Sequence, residues 1–207
     1  MDNIFIKVCG LTKPENIFKL DRLDVDYLGF IFYAPSKRNA LDLETPLETK
    51  AKKIGVFVNE DLDFIMAQVQ KHQLSGVQLH GEESPALCQQ LKNKGLIVWK
   101  VFGIDSHFVF DRLEAYLLVV DAFLFDTKSP QKGGTGKHFD WKLLNSYPFE
   151  KPIILSGGIE LKDVEAIASL NLPHLIGLDI NSKFEIKPGV KEVEKVKAFI
   201  TAIKSDA

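Results

Sequence analysis

The chain has 207 residues, 45% of them hydrophobic and 26% charged, which is enough for one sizeable core and matches an ordinary soluble globular domain. Against 28 acidic residues stand 26 basic ones, and the formal net charge of -2 gives no long-range field for nucleic acid or an anionic membrane, so small-molecule partners are expected. No positive stretch followed by an apolar segment opens the chain and no apolar run nears bilayer length, so we expect a cytoplasmic protein in which Cys9 and Cys88 are free thiols.

Short apolar runs recur at even spacing, each followed by turn residues and a stretch of helical periodicity, the βα alternation of a parallel sheet covered by helices. The predicted strands are Ile4–Val8, Tyr27–Phe32, Lys53–Val58, Gly76–Leu79, Ile97–Val101, Val119–Phe125, Pro152–Leu155 and Ile176–Ile180. Thr12 with Glu15 predicts a capping box with Pro14 in the first turn, and Ser84-Pro85 predicts another helix start. The last helix has Val190, Val193, Val196, Phe199, Ile200 and Ile203 on one face and lysines and glutamates on the other. Eight such units predict a single-domain (β/α)8 TIM barrel spanning residues 1–207, near the lower size limit of the fold. An open doubly wound sheet shares the alternation, but Lys7-Val8-Cys9-Gly10-Leu11-Thr12 stands where its Gly-x-Gly-x-x-Gly would be. Residues 34–46 form the longest stretch without periodicity, and an active-site loop is one reason for it.

In such a barrel the site forms at the C-terminal ends of the strands. Three loops there expose backbone N–H groups suited to an oxyanion: Lys132-Gly133-Gly134-Thr135-Gly136 beyond Asp126, Ser156-Gly157-Gly158, and Asn181-Ser182. One glycine loop is commonly a plain turn; three at successive strand ends point to a phosphate-like ligand. Asp126 follows Phe123-Leu124-Phe125, where desolvation raises a carboxyl and suits it to general acid work; the plainer alternative is a loop cap bonded to the N–H of Thr127 or Lys128. Cys9 ends the first strand against Gly10, so its thiol is either a base or nucleophile at the mouth or a small buried hydrophobe. Arg38 carries a donor fork that suits a carboxylate, although a loop arginine is commonly solvated. His80 either lines the mouth as a substrate contact or is satisfied by backbone, and Lys100 is expected to snorkel from its strand end. Asp121 and Cys88 read as structural, and no cluster has metal-ligand spacing.

Lys7-Val8-Cys9-Gly10-Leu11-Thr12, Ser36-Lys37-Arg38, Gly55-Val56-Phe57-Val58-Asn59, Val77-Gln78-Leu79-His80-Gly81, Asp126-Thr127 with Gly133-Gly134-Thr135-Gly136 and Phe139-Asp140-Trp141, Ser156-Gly157-Gly158, Gly177-Leu178-Asp179 and Pro188-Gly189-Val190-Lys191 follow one another along nearly the whole chain. In this order they resemble the phosphoribosylanthranilate isomerase family. The resemblance implies a (β/α)8 barrel that performs a cofactor-free Amadori rearrangement of N-(5-phosphoribosyl)anthranilate in tryptophan biosynthesis; since nothing demands a partner to complete the barrel, a monomer or homodimer is expected. It implies Cys9 as general base and Asp126 as general acid. Arg38 would hold the anthranilate carboxylate, Asp179 would bond a ribose hydroxyl, and Gly134, Gly136, Gly157, Gly158, Asn181 and Ser182 would hold the phosphate. The chain departs from many family members at Lys183-Phe184-Glu185, where a glycine and a small apolar residue precede the glutamate, so Lys183 is expected to restrict the loop or add a charge near the phosphate. A non-catalytic barrel, or another phosphosugar barrel such as an epimerase, is the alternative.

Overall fold

The computed structural model describes residues 4–44, 47–127 and 140–205. Eight parallel strands close into a barrel in chain order. They are β1 (Phe5–Val8), β2 (Tyr27–Ile31), β3 (Lys52–Phe57), β4 (Gly76–Leu79), β5 (Ile97–Ile104), β6 (Ala122–Thr127), β7 (Ile153–Leu155) and β8 (Leu175–Ile180). Outside lie α1 (Pro14–Asp21), α2 (Leu62–His72), α3 (Pro85–Asn93), α4 (Val164–Ala168) and α5 (Val193–Ser205). After β5 and β6 the covering segments are 3-10 turns, Phe110–Tyr116 and Trp141–Ser146, which is how eight units fit so short a chain. A small hairpin, β9 (Glu185–Lys187) with β10 (Val190–Lys191), precedes α5.

Side chains alternate along a strand and registered neighbours in parallel strands share a face, so the ladder states what points inward. Lys7 is in register with Tyr27 on one side and Asp179 on the other. Trp99 aligns with Gln78 and Ala122, and Gly103 with Asp126. Phe5, Tyr27 and Trp99 therefore meet inside the barrel, with the Phe5 and Trp99 rings stacked at 5.5 Å and Tyr27 edge-on to both. Ile54, Val101, Ala122, Leu124 and Ile154 complete this inner plug, while a larger apolar layer lies between barrel and helices. The plug fills the lower interior, and Lys7, Cys9, Asp126 and Asp179 stand on the same inward rows nearer the mouth.

Several predicted boundaries move. Asp121 takes no part in β6: its carboxylate accepts from the Val98 N–H at 2.8 Å and pairs with Lys92, and Val119 and Val120 close a turn onto the Tyr116 carbonyl. Apolar residues on both sides of Asp121 give no periodicity that marks where turn gives way to strand. The Thr12 capping box is absent; α1 starts after Lys13 without a side-chain cap, and the Thr12 hydroxyl donates to the Gly189 carbonyl instead. Val190 belongs to the hairpin, so the buried face of α5 is Val196, Phe199, Ile200 and Ile203. Ser84 caps α3 as expected, accepting from the Leu87 N–H, with Pro85 in the first turn.

His72, at the end of α2, is 3% exposed, tilts over Phe32 with ring centroids 4.8 Å apart, and leaves Nε2 without a hydrogen-bond partner. Burial, with Lys71 and Lys53 nearby, lowers its pKa from 6.5 to about 4. The unfolded chain therefore binds the extra proton first, and stability falls as pH drops from about 6.5 towards 4. We expect His72→Gln to reduce this acid loss by about 2 to 3 kcal/mol, read from urea unfolding at several pH values.

Candidate active site

At the mouth, β1 delivers the most enclosed chemistry. Cys9 prolongs the β1 ladder by one residue, its N–H donating to the Ile180 carbonyl at 2.9 Å, so the thiol falls on the inward row with Lys7. The sulfur is buried, and burial raises its pKa; Lys7 pulls it down and Asp179 pushes it up. Lys7 itself is fully buried, with Nζ 2.9 Å from Asp179 Oδ1. Burial works against the Lys7 charge, yet Asp179 and then Cys9 more than offset it, leaving the pKa raised and the ammonium intact. Burial also raises the Asp179 carboxyl, partly countered by Lys7; with the ammonium held and the contact at 2.9 Å, we assign an ion pair.

Across the mouth stands Asp126, on the last inward position of β6. Its Oδ1 accepts from the Thr127 N–H at 2.7 Å, and its Oδ2 lies 3.7 Å from His80 Nε2. The loop-capping bond expected of this residue is thus present alongside the desolvation expected of an acid. Burial dominates and raises its pKa from 3.8 to about 6, with the Thr127 N–H acting the other way. His80 sits at the mouth through its side chain, while its N–H continues the β3 ladder onto Phe57 O. Gly157, at φ 87°, closes against the acid: a Cβ there would come within 2.6 Å of the Thr127 nitrogen and 2.8 Å of Asp126 Oδ1. A side chain is excluded twice, by conformation and by space.

Arg38 reaches the same end from the loop after β2. Its Nε and Nη2 hold the Glu185 carboxylate, with Nη2 at 2.7 Å, so one edge of its fork is already engaged within the protein. Glu185 also accepts from Lys191 Nζ at 2.8 Å and the Gly189 N–H, and these cations keep its carboxyl below the usual range despite burial. Burial pulls Lys191 down to about 8, and its ammonium also donates to Asn181 Oδ1 at 2.6 Å. Asn181 thus has its side-chain oxygen occupied, and Ser182 opens a single 3-10 turn, Ser182–Phe184. Lys183 lies 3.7 Å from Glu160. Ser156 Oγ donates to the Asp179 carbonyl at 3.3 Å, tying the Gly157-Gly158 loop to the end of β8. Gly134 and Gly136 lie outside the described residues.

The sequence of the chain between residues 6 and 202 matches the profile of the N-(5'-phosphoribosyl)anthranilate (PRA) isomerase family. The chain belongs to this family. An N-(5'-phosphoribosyl)anthranilate isomerase of Parabacteroides distasonis is 41% identical over 209 residues, covering 97% of this chain and 93% of that relative. The phosphoribosyl anthranilate isomerase of Thermotoga maritima superposes with a TM-score of 0.82 at 32% identity, covering 98% of this chain and 99% of that one. A solved isomerase of the family in complex with reduced 1-(o-carboxyphenylamino)-1-deoxyribulose 5-phosphate superposes with a TM-score of 0.79 at 28% identity, covering 98% and 99% of the two chains. Like these isomerases, the chain forms a closed eight-stranded (β/α)8 barrel. Among its described residues no helix is long and apolar enough to cross a membrane.

One reading of the sequence changes on this frame. Lys100 does not snorkel outward: β5 runs on to Ile104, and Lys100 is buried with Nζ 3.1 Å from Glu83 Oε2 and 2.8 Å from the Gly81 carbonyl. Glu83 in turn accepts from the N–H groups of Asn59 and Gly81, so this pair braces the loops after β3 and β4. Lys7 was legible as part of a motif but carried no role, because a lysine inside a strand reads as a surface residue until its register partner, Asp179, is known.

Proposed function

We propose that this member of the isomerase family opens the ribose ring of N-(5-phosphoribosyl)anthranilate and rearranges it to 1-(2-carboxyphenylamino)-1-deoxyribulose 5-phosphate, with Asp126 as acid and Cys9 as base. The observation that carries the assignment is an acid desolvated enough to hold a proton near neutrality, facing a thiol backed by a buried ammonium across one barrel mouth. Protonated Asp126 gives its proton to the ring oxygen as the bond from that oxygen to C1 breaks. The anthranilate nitrogen lone pair forms the C1=N bond, and the resulting cation acidifies the C2 hydrogen. Cys9 as thiolate takes that hydrogen, the C–H electrons form the enolamine C1=C2 bond, and proton transfer from the C2 hydroxyl to C1 leaves the ketone. Acid and base on β6 and β1 reach the substrate from different sides.

Arg38 would offer its remaining edge to the anthranilate carboxylate, since Nε and Nη2 are held by Glu185. Backbone N–H groups of Gly157, Gly158, Asn181 and Ser182 would take the phosphate at the loops after β7 and β8, together with Gly134 and Gly136. Asp179 Oδ2 would meet a ribose hydroxyl while Oδ1 stays on Lys7. All of these groups lie on one chain, so a monomer or a homodimer is compatible with the assignment, and residues 1–207 would act as one cytoplasmic catalytic domain. A binding barrel without catalysis has no use for an acid and a base at opposed strand ends.

The assignment predicts rescue of a tryptophan-requiring bacterial strain that lacks only this isomerase: growth without tryptophan supports it, and no growth despite soluble expression overturns it. Gly157→Ala should lower kcat/KM on the order of 10-fold to 100-fold by displacing the Asp126 carboxylate, with a cooperative melt retained in calorimetry. Wild-type turnover in this variant would contradict the contact.

A further inference from the structure

The reaction as assigned leaves the buried charge of Lys7 unused. Lys7 has no solvent exposure, yet its Nζ stands 2.9 Å from Asp179 Oδ1 on the strand that carries Cys9. A lone cation would not be kept inside a barrel without a partner, and a carboxylate that merely neutralised it would need no thiol alongside. Here the alternation of β1 puts Lys7 and Cys9 on one inward row, two residues apart. The neighbouring strand leaves space for both: a Cβ on Gly29 would lie 2.9 Å from Cys9 Sγ and 3.0 Å from Lys7 Cε. We propose that Lys7, held in place by Asp179, is the positioning residue for the base, its ammonium serving as the counter-charge of the Cys9 thiolate. This inference rests on Cys9 acting as the base.

The charges that face Cys9 come from several elements. Lys7 lies on its own strand, Asp179 on β8 and Lys191 on β10, with Arg38 and Glu185 beyond Lys191. Asp126 on β6, with His80 beside it, lies across the mouth and feels Lys7 and Asp179 as well. Gly29 on β2 brings no charge. Of the two cations facing the thiol, Lys7 exerts the larger pull, and Asp179 opposes it. The carboxylate therefore has two effects of opposite sign: it fixes the ammonium, and it repels the thiolate. In the ionisation itself the Cys9 proton passes to solvent, Lys7 keeps its own three, and the thiolate is then free to take the substrate's C2 hydrogen.

This double role makes the test directional. Protein labelled with 13C at the cysteine Cβ is titrated without substrate, following Cys9, while Cys88, pushed up to about 11 in the core, serves as a separate reference signal. Lys7→Met should raise the Cys9 pKa by about one unit or more, with kcat falling about tenfold per unit and KM changing little. Asp179→Asn should move the Cys9 pKa down, because the repulsion is gone while the Asn amide oxygen still accepts from the Lys7 ammonium and keeps its charge in place. Opposite shifts support the proposal; no shift in either variant, or shifts of the same sign, overturn it. If Lys7→Met fails to fold by circular dichroism, Lys7→Gln is titrated in its place, an upward shift of the Cys9 pKa supporting the proposal and an unchanged or lower value overturning it. The failure of Cys9 as base would show separately, as turnover surviving in Cys9→Ala.

Discussion

Replacing Asp126 by Asn is expected to lower turnover by about 10³-fold and at the same time to make the protein more stable at neutral pH. The loss of turnover follows from position: the carboxyl ends the inward row of β6, and an amide has no proton to give to a ring oxygen. The gain in stability follows from the sign of its pKa change. Burial holds the native carboxyl at about 6 against an ordinary 3.8, so the native state binds the proton more tightly than the unfolded chain. The stabilisation from this residue is complete below the ordinary value and is lost as pH rises through about 6. Above that, the fold holds an ionised carboxylate at a cost, offset in part by solvent because the side chain is one-fifth exposed. We discount the shift accordingly to about 1 to 2 kcal/mol. Thermal melts of the two proteins should therefore separate at pH 7.5 and converge near pH 4. A variant equally stable at both pH values would mean that the carboxyl is not desolvated and would remove the reason to assign it the acid's role.

The same property shapes the pH profile. A carboxyl near 6 and a thiol above its ordinary range must react as acid and thiolate, the less populated pair of protonation states. The acid-side break of kcat/KM then belongs to Asp126 and falls near pH 6, and the alkaline break belongs to Cys9.

Cys9→Ala is the second large effect. Deleting the sulfur removes the group that takes the C2 hydrogen, and turnover should fall about 10³-fold or more. Binding of a reduced product analogue should stay within severalfold of the parent, since the phosphate and carboxylate contacts assigned above come from other loops. Isothermal titration checks the second half. Loss of turnover together with loss of binding would assign Cys9 a folding role, consistent with its 3% exposure, in place of a chemical one.

Much of this architecture is legible in the chain because each βα unit is short and punctuated: all eight apolar runs overlap a barrel strand, and Gly76–Leu79 matches without change. The boundary lost before β6 lies in Tyr116 to Phe125, where an apolar run interrupted by Asp121 alone conceals a turn. The candidate site was legible where chemistry follows from local sequence, as in Asp126 after Phe123-Leu124-Phe125. It was illegible where a role depends on a partner far along the chain. Lys7 meets Asp179 across 172 residues, Arg38 meets Glu185 across 147, and Lys100 meets Glu83 through a strand that outlasts its apolar run. Periodicity reports which face a side chain takes, whereas only barrel closure brings β8 beside β1.

The most direct test of the acid and base assignment is the loss of anthranilate fluorescence when purified protein meets freshly generated N-(5-phosphoribosyl)anthranilate, with the parent and Asp126→Asn run side by side. The account predicts rapid loss with the parent and a rate close to the uncatalysed background with the variant. Equal rates in the two proteins would contradict it, as would a well-folded parent that leaves the fluorescence unchanged.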